Sequence, residues 1–381
     1  MRLAGKNLFL TGGCGFVGGR VAEKLLLEEG ATVHCLVRDL SKAVWLSRTQ
    51  ADLFVGDVND AAAVRRAMEG CDIVIHCASG GNTRAELMQT NVEGMRVLLD
   101  AAKAVGVARF VHVSSIAVFG AAPAQGELTQ ADYDDGGRAY PESKIAAEKL
   151  LLGTAGEGID TRVIVRPTFV WGPRSHLFTA GPLRAMKEHR FVWIDGGSGS
   201  CHAVYVDNLV EALILAATRP NVDGQAFLVT DGQEMTWREF FEPLLALFPP
   251  AQIRSINSRS VLTPLLCRAR EACAGRVAAL SGPGKALPVR ALRRLLRETE
   301  LLLARRGYPS LWDLRKFARK GGLDTRHTRD VLGYRPVKTF EAAIEDTRRW
   351  VLWHMADELG IVPEVALPEA EPPAIGAGDA G

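Results

Sequence analysis

The sequence predicts an α/β fold: a doubly wound parallel sheet with a smaller, mostly helical C-terminal substrate domain. Three observations predict it. Six apolar, β-type runs, NLFLT (7–11), TVHCLV (32–37), DLFVGDV (52–58), DIVIHCA (72–78), RFVHVSS (109–115) and TRVIVRP (161–167), alternate with helix-length segments at 16–29, 60–69, 86–105 and 141–152. Continuous rather than alternating apolar strands mean that both faces of the sheet are covered. A glycine-rich turn joins the first strand to the first helix, and beyond about residue 170 the alternation loosens.

The first strand and helix carry the clearest chemistry. Gly12, Gly13, Gly15 and Gly18, with Phe16 and Val17 between them, form a Gly-x-x-Gly-x-x-Gly turn. Such a turn lets the backbone approach a pyrophosphate, seats the helix close on the sheet, and aims the helix N-terminus at the phosphates. This predicts a Rossmann dinucleotide site. At the end of the second strand an acidic residue would bind a free ribose, whereas a 2′-phosphate requires a cation. The position seven residues after Gly30 is the neutral Val37, and Arg38 follows, although Asp39 is adjacent and Lys42 is near. NADP(H) is therefore the expected cofactor, with NAD(H) as the other option. Asp57 and Val58 end the third strand, where an adenine would lie.

The stretch RAYPESKIAAEKL (138–150) sets Tyr140 and Lys144 one helical turn apart. A buried ammonium beside a phenol favours phenolate, bringing a group of ordinary pKa about 10 nearer neutrality and making it a proton donor and acceptor. The glycine turn, GDV, DIVIHCAS, NVEG, VHVSSIAVFG, YPESK and RPTFVWGP come in an order that resembles extended short-chain dehydrogenases/reductases, over roughly residues 5 to 350. The resemblance implies that Ser115 is the catalytic serine, Tyr140 the acid/base, and Lys144 the residue that binds the nicotinamide ribose and depresses the Tyr140 pKa. It also implies cofactor contacts from Cys77, Ala78, Ser79, Asn91, Ser114, Pro167, Thr168 and Val170.

Two groups of relatives compete within that family. AVYVDNLVEALILAA (203–217) and GLDTRHTRDVLGYRPVKTFEAAIEDT (322–347) resemble the 3β-hydroxysteroid dehydrogenase and sterol-4-carboxylate 3-dehydrogenase type. Nucleotide-sugar relatives usually place an arginine six residues before the Asp of VDN, and here that position is Cys201, with His202 beside it. Loss of that cation counts against a dianionic substrate, with Arg174 and Arg184 as the candidate replacements. The expected activity is alcohol/ketone interconversion on a bulky hydrophobic, sterol-like or polycyclic lipid substrate. The alternatives are a nucleotide-sugar epimerase or reductase and a non-catalytic NADP-binding redox sensor.

Bulk properties set the remaining expectations. The 381 residues are 47% apolar and 24% charged, as in ordinary globular proteins. Seven scattered cysteines without a Cys-x-x-Cys pair suggest neither a disulfide framework nor a metal site. The chain runs directly into its first strand and has no apolar run long enough to span a membrane, so a cytoplasmic protein without a signal peptide is expected. Residues 1–170 should form the NADP-binding domain, with about 203–230 returning to it. Residues 171–360 should form the substrate region, and 362–381 a disordered tail.

Charge is unevenly distributed. Residues 251–330 hold 18 Lys/Arg and 6 Asp/Glu, a balance of +12 that leaves −10 elsewhere. Within the basic helical block 258–320, apolar residues recur at 292, 295, 296, 302 and 303, with Arg293, Arg294 and Arg297 opposite. Either the leucine stripe packs on the substrate domain beneath a solvated arginine face, or residues 288–306 meet anionic lipid headgroups. No nucleic-acid recognition motif accompanies the basic residues. A homodimer is left open.

Overall fold

The computed structural model describes residues 2–123, 125–126, 128–249, 252–280 and 287–361. The tail expected at 362–381 lies outside the described residues. In chain order the first half comprises β1 (Asn7–Thr11), α1 (Phe16–Leu27), β2 (Thr32–Val37), β3 (Asp52–Val55), α2 (Ala61–Met68), β4 (Ile73–His76), α3 (Arg84–Met88), α4 (Gly94–Val105), β5 (Arg109–Val113), α5 (Ala139–Gly153) and β6 (Thr161–Pro167).

The second half continues with β7 (Phe169–Trp171), α6 (Gly181–Lys187), β8 (Trp193–Ile194), β9 (Ser200–Cys201), β10 (Ala203–Tyr205), α7 (Val206–Thr218), β11 (Gln225–Val229), β12 (Met235–Thr236), α8 (Trp237–Leu245) and β13 (Ser255–Ile256). Five helices complete the described chain: α9 (Leu262–Ala279), α10 (Leu287–Arg305), α11 (Leu311–Ala318), α12 (Phe340–His354) and α13 (Ala356–Leu359).

Seven parallel strands form the main sheet, in the order β3-β2-β1-β4-β5-β6-β11. The order reverses direction between β1 and β4, so the crevice at their carboxyl ends is where a ligand of this architecture binds. The strands are apolar on both faces because each face is covered. Leu8 and Leu10 of β1 pack with Val33, Val163, Leu209 and Leu213 on the α1/α7 side. Phe9 points the other way and packs with Val64, Leu98, Phe110, Ala147 and Leu151 on the α2/α4/α5 side.

α3 and α4 are two parts of one helix interrupted by a π-turn at Gln89–Glu93. One extra residue in the turn shifts the side chains on either side out of phase, and π-turns of this kind often sit at functional sites. A second core, rich in aromatics, lies beyond the sheet. There Trp171, Trp237, Phe240 and Phe241 pack with Ala343, Ile344 and Val351 of α12, and Trp171 meets Phe240 edge-on at 5.2 Å between ring centroids.

The basic block forms the α9–α10 hairpin followed by α11. Of its leucine stripe only Leu303 is buried, whereas Leu292, Leu295 and Leu302 are 49%, 61% and 50% exposed. The arrangement with the stripe packed on the substrate domain therefore does not hold for most of α10, because α10 lies against α9 and little else covers it. Val261, Leu262 and Leu265 at the start of α9 are exposed as well. No helix among the described residues is long and apolar enough to cross a membrane.

Candidate active site

The glycine turn is shaped by contacts that a side chain would block. Gly12 has φ +75°, and a Cβ there would lie 2.8 Å from the Ala78 amide nitrogen. A Cβ on Gly18 would lie 2.2 Å from the Gly12 carbonyl oxygen, so only glycine lets α1 start this close to the turn. Gly15 donates its amide to Gly12 O at 2.8 Å and is the N-cap of α1, with no side chain capping the first amides. Those amides and the helix dipole suit a pyrophosphate. The residues present thus fit a dinucleotide.

At the far end of this groove, Arg38 is exposed and reaches Asp57 Oδ2 at 3.9 Å. Asp57 Oδ1 accepts from the Asn59 amide and side chain at 3.0 and 2.7 Å. Asp39, the only acid at the β2 end, accepts from Ser41 N and Ser41 Oγ at 2.9 and 2.7 Å. These hydrogen bonds cap the following turn and hold its carboxyl below the ordinary range. Val58 is buried against Gly94, where a Cβ would meet its Cγ2 at 2.8 Å. Ala78 donates its amide to Thr11 Oγ1 at 3.1 Å, and Cys77 and Ser79 line the central cavity.

α5 brings Tyr140 and Lys144 onto that cavity, whose volume is about 800 Å³. Lys144 is buried, and its ammonium donates to Val113 O at 2.9 Å. Desolvation pulls its pKa down to about 8. Tyr140 is 38% exposed at the cavity wall. The closeness of the cleft pushes its phenol above the ordinary value, while a hydrogen bond with Ser115 works in the opposite direction. In the free site the net shift is upward and is set by desolvation, with the Ser115 hydrogen bond opposing it.

The two adjacent serines are separated by their partners. Ser114 Oγ donates to Glu148, which is fully buried in an ion pair with Arg166 at 2.6 Å and also accepts from the Tyr133 hydroxyl. Ser115 instead caps the turn at Ile116–Val118 through the Ala117 amide at 3.1 Å and faces Tyr140. Asn91 sits in the π-turn, is buried, and donates to Ser143 Oγ at 2.9 Å. Its Oδ1 has no hydrogen-bond partner among the described residues, which leaves a buried acceptor for a ligand or water.

Of the cofactor candidates, Phe16, Val17, Cys77, Ser79, Ser114, Pro167, Thr168 and Val170 line the same cavity as Ser115, Tyr140 and Lys144. Arg38, Asp57 and Val58 stand apart at the ends of β2 and β3, and Asn91 lies within the interior. Sequence reasoning missed Trp312, Lys316, Arg319 and Leu323, which line the same cavity. Their only trace in the sequence is the basic block. Of the two candidate replacements for the missing diphosphate arginine, Arg174 lines the cavity and Arg184 does not. Arg174 pairs with Glu23 at 3.5 Å and lies over Trp45, while Arg184 pairs with Glu358 away from the cavity.

The NAD dependent epimerase/dehydratase family matches residues 8–229. The chain belongs to that family. A 4-hydroxy-2-methyl-3-oxo-4-farnesyl-3,4-dihydroquinoline-1-oxide ketoreductase of Stigmatella aurantiaca is 34% identical over 246 residues, 62% of this chain and 72% of the relative. A 3 beta-hydroxysteroid dehydrogenase/Delta 5-->4-isomerase of Mycobacterium tuberculosis is 30% identical over 256 residues, 63% and 68% of the two chains. Among solved structures, the UDP-glucuronic acid 4-epimerase of Bacillus cereus, in complex with NAD, superposes with a TM-score of 0.67 at 14% identity, covering 91% of this chain and 99% of the other. At that identity the likeness speaks for the fold. The family is NAD-dependent, and the relatives include a ketoreductase and a 3 beta-hydroxysteroid dehydrogenase.

Proposed function

We propose that this protein is an NADP(H)-preferring oxidoreductase that interconverts a secondary alcohol and a ketone on a bulky, largely apolar substrate. The observation that carries the reading is that Ser115, Tyr140 and Lys144 meet on one cavity that Ile116, Phe169, Leu177, Phe178, Trp312 and Leu323 also line. The ketoreductase and 3β-hydroxysteroid dehydrogenase relatives support it.

The bound nicotinamide supplies or accepts hydride at the carbinol carbon. The chain's own residues handle the oxygen and its proton. Ser115 Oγ holds the substrate oxygen, and Tyr140 exchanges a proton with it. A phenol with an ordinary pKa of about 10 is protonated at neutral pH, and burial pushes Tyr140 further the same way, so the free site is set to donate to an alkoxide, as reduction requires. Oxidation requires phenolate, and Lys144, a buried ammonium one turn away with a pKa of about 8, is the cation in place to favour it.

The preference for NADP(H) is our inference from Arg38. At the end of β2 it is exposed and makes a long, 3.9 Å contact with Asp57, while the neighbouring Asp39 is engaged by Ser41. A second reading, a nucleotide-sugar epimerase, draws on Arg319, which approaches His202 beside the position where such enzymes hold an arginine. The redox-sensor alternative leaves the full Ser115, Tyr140 and Lys144 set without a purpose.

We further propose that the α9–α10 hairpin meets anionic membrane surfaces. The exposed leucines of α10 lie beside Arg293, Arg294 and Arg297 in a segment of net +12. Apolar side chains flanked by arginines match an anionic headgroup layer in both insertion and charge.

Three outcomes are expected. Tyr140→Phe should lower the rate of ketone reduction at least about a hundredfold, with nucleotide affinity within a few-fold of wild type; a rate above about a tenth of wild type would contradict the acid/base role. Arg38→Ala should weaken NADPH binding by about ten- to a hundredfold and leave NADH nearly unchanged; an unaltered affinity ratio would make this an NAD enzyme. The protein should co-sediment with phosphatidylserine vesicles, weakly with phosphatidylcholine ones, and less as salt rises. Changing Arg293, Arg294 and Arg297 to Glu should abolish that binding. No sedimentation with phosphatidylserine, or equal binding to neutral vesicles, would refute the membrane contact.

A further inference from the structure

The substrate cavity has a lopsided charge. Arg138, Lys144, Arg174, Lys316 and Arg319 line it together with two histidines, and among the described residues no Asp or Glu does. Most of these cations are neutralised from behind the wall. Arg138 pairs with Glu271, Arg174 with Glu23 at 3.5 Å, and Lys316 with Asp313 at 2.7 Å. Lys144 belongs to the catalytic set.

Arg319 differs from all of them. Among the described residues it forms no ion pair, and every contact it makes is to a neutral group. Its Nε donates to Pro123 O at 3.0 Å, Nη1 to Gly321 O at 2.9 Å, and Nη2 to Gly322 O at 3.0 Å. His202 Nε2 lies 2.8 Å from both Nη1 and Gly321 O, so the ring tautomer decides which of the two it engages. Guanidinium carries five N–H donors, and these four contacts leave at least one without a partner.

Half-buried and without a counter-ion among the described residues, Arg319 is a cation whose charge none of them compensates. Desolvation alone acts on it, pulling its pKa below the ordinary arginine value. Exposed Glu234 influences His202 from a distance but does not pair with Arg319. The guanidinium is nevertheless rigidly held, because three backbone carbonyls from two loops fix its plane against the cavity. A fixed planar fork with a free N–H and no anion is suited to a carboxylate or phosphate oxygen.

We infer that Arg319 is an anion-binding subsite of the substrate pocket, and that the substrate is an amphipathic anion whose apolar body lies along Phe178 and Trp312 while its carboxylate or phosphate pairs with Arg319. This deepens the oxidoreductase reading and rests on it for the identity of the reacting group, but the anion site can be tested without turnover. It also explains why the position at Cys201 needs no arginine. The cation comes instead from the end of α11, more than a hundred residues later, and it reaches the same corner through His202.

The test is equilibrium binding, by calorimetry on the protein saturated with NADPH, of four probes: cholic acid, its methyl ester, UDP and uridine. Turnover of 3-oxocholan-24-oic acid and its methyl ester is followed separately by NADPH absorbance. Wild type should bind one anion, cholate or UDP, at least about tenfold more tightly than its neutral counterpart, with the gap narrowing as salt rises. Arg319→Gln should remove that gap by weakening the anion while moving the neutral probe less than about twofold, and Arg319→Lys should restore part of it. A gap for cholate identifies a carboxylate on an apolar body. A gap confined to UDP identifies a diphosphate and supports the subsite while moving the substrate towards nucleotide sugars. Equal affinity of wild type for both members of each pair would overturn the inference, as would an Arg319→Gln variant that weakens neutral and anionic probes alike, the mark of a loop staple. Should the anion gap appear while neither ketone is reduced, the subsite stands and the ketone-reductase reading fails.

Discussion

The active-site geometry depends on one buried ion pair. Glu148 is wholly inaccessible and Arg166 nearly so, and their 2.6 Å contact joins the middle of α5 to the end of β6. Ser114 ties the end of β5 to the same carboxylate, and Tyr133 adds the preceding loop. Arg166 also lies over the Phe119 ring at 4.9 Å. A charge pair taken out of water is tolerated only when its remaining donors and acceptors are satisfied, and deleting one partner of such a pair costs about 3–5 kcal/mol. Here the donors and acceptors are supplied by the segments that carry Ser115, Tyr140 and Lys144. The pair therefore holds the three segments in register, and the spacing of Ser115, Tyr140 and Lys144 follows.

The two halves of the cavity are built differently. The nucleotide half is backbone: a glycine turn, the first amides of α1, and strand ends at the point where the sheet order reverses. Side-chain bulk is excluded there, as the Gly12 and Gly18 contacts require. The substrate half is side chain, and much of it comes from α11 and the loop after it. Trp312, Lys316 and Arg319 close a pocket that the sheet alone would leave open. A fold of this kind can keep its hydride chemistry constant while the wall that selects the substrate changes.

The strand runs, the glycine turn and the Tyr140–Lys144 spacing were legible because each is a local pattern with a single physical reading. Other features were not. The π-turn at Gln89–Glu93 leaves the apolar periodicity of 86–105 almost intact, so one extra residue goes unseen. Ser114 and Ser115 are chemically equivalent in the sequence, and only the position of Glu148 tells them apart. The leucines of α10 show an amphipathic pattern, but a pattern does not say which face is covered. The upward shift of Tyr140 in the free site comes from desolvation, which depends on how closely the cavity walls approach and has no sequence signature. Arg319 carried no local signal at all, since its role comes from a contact with His202 117 residues earlier.

The central claim is that this site moves a hydride between nicotinamide and a substrate carbinol carbon and releases the product. Incubation with a bulky ketone and NADPH deuterated at the transferable C4 position, followed by mass spectrometry of the product, tests it most directly. The account predicts one deuterium at the carbinol carbon of the alcohol and stoichiometric formation of oxidised cofactor. An alcohol substrate returned with inverted configuration and no net cofactor consumption would contradict it and mark an epimerase.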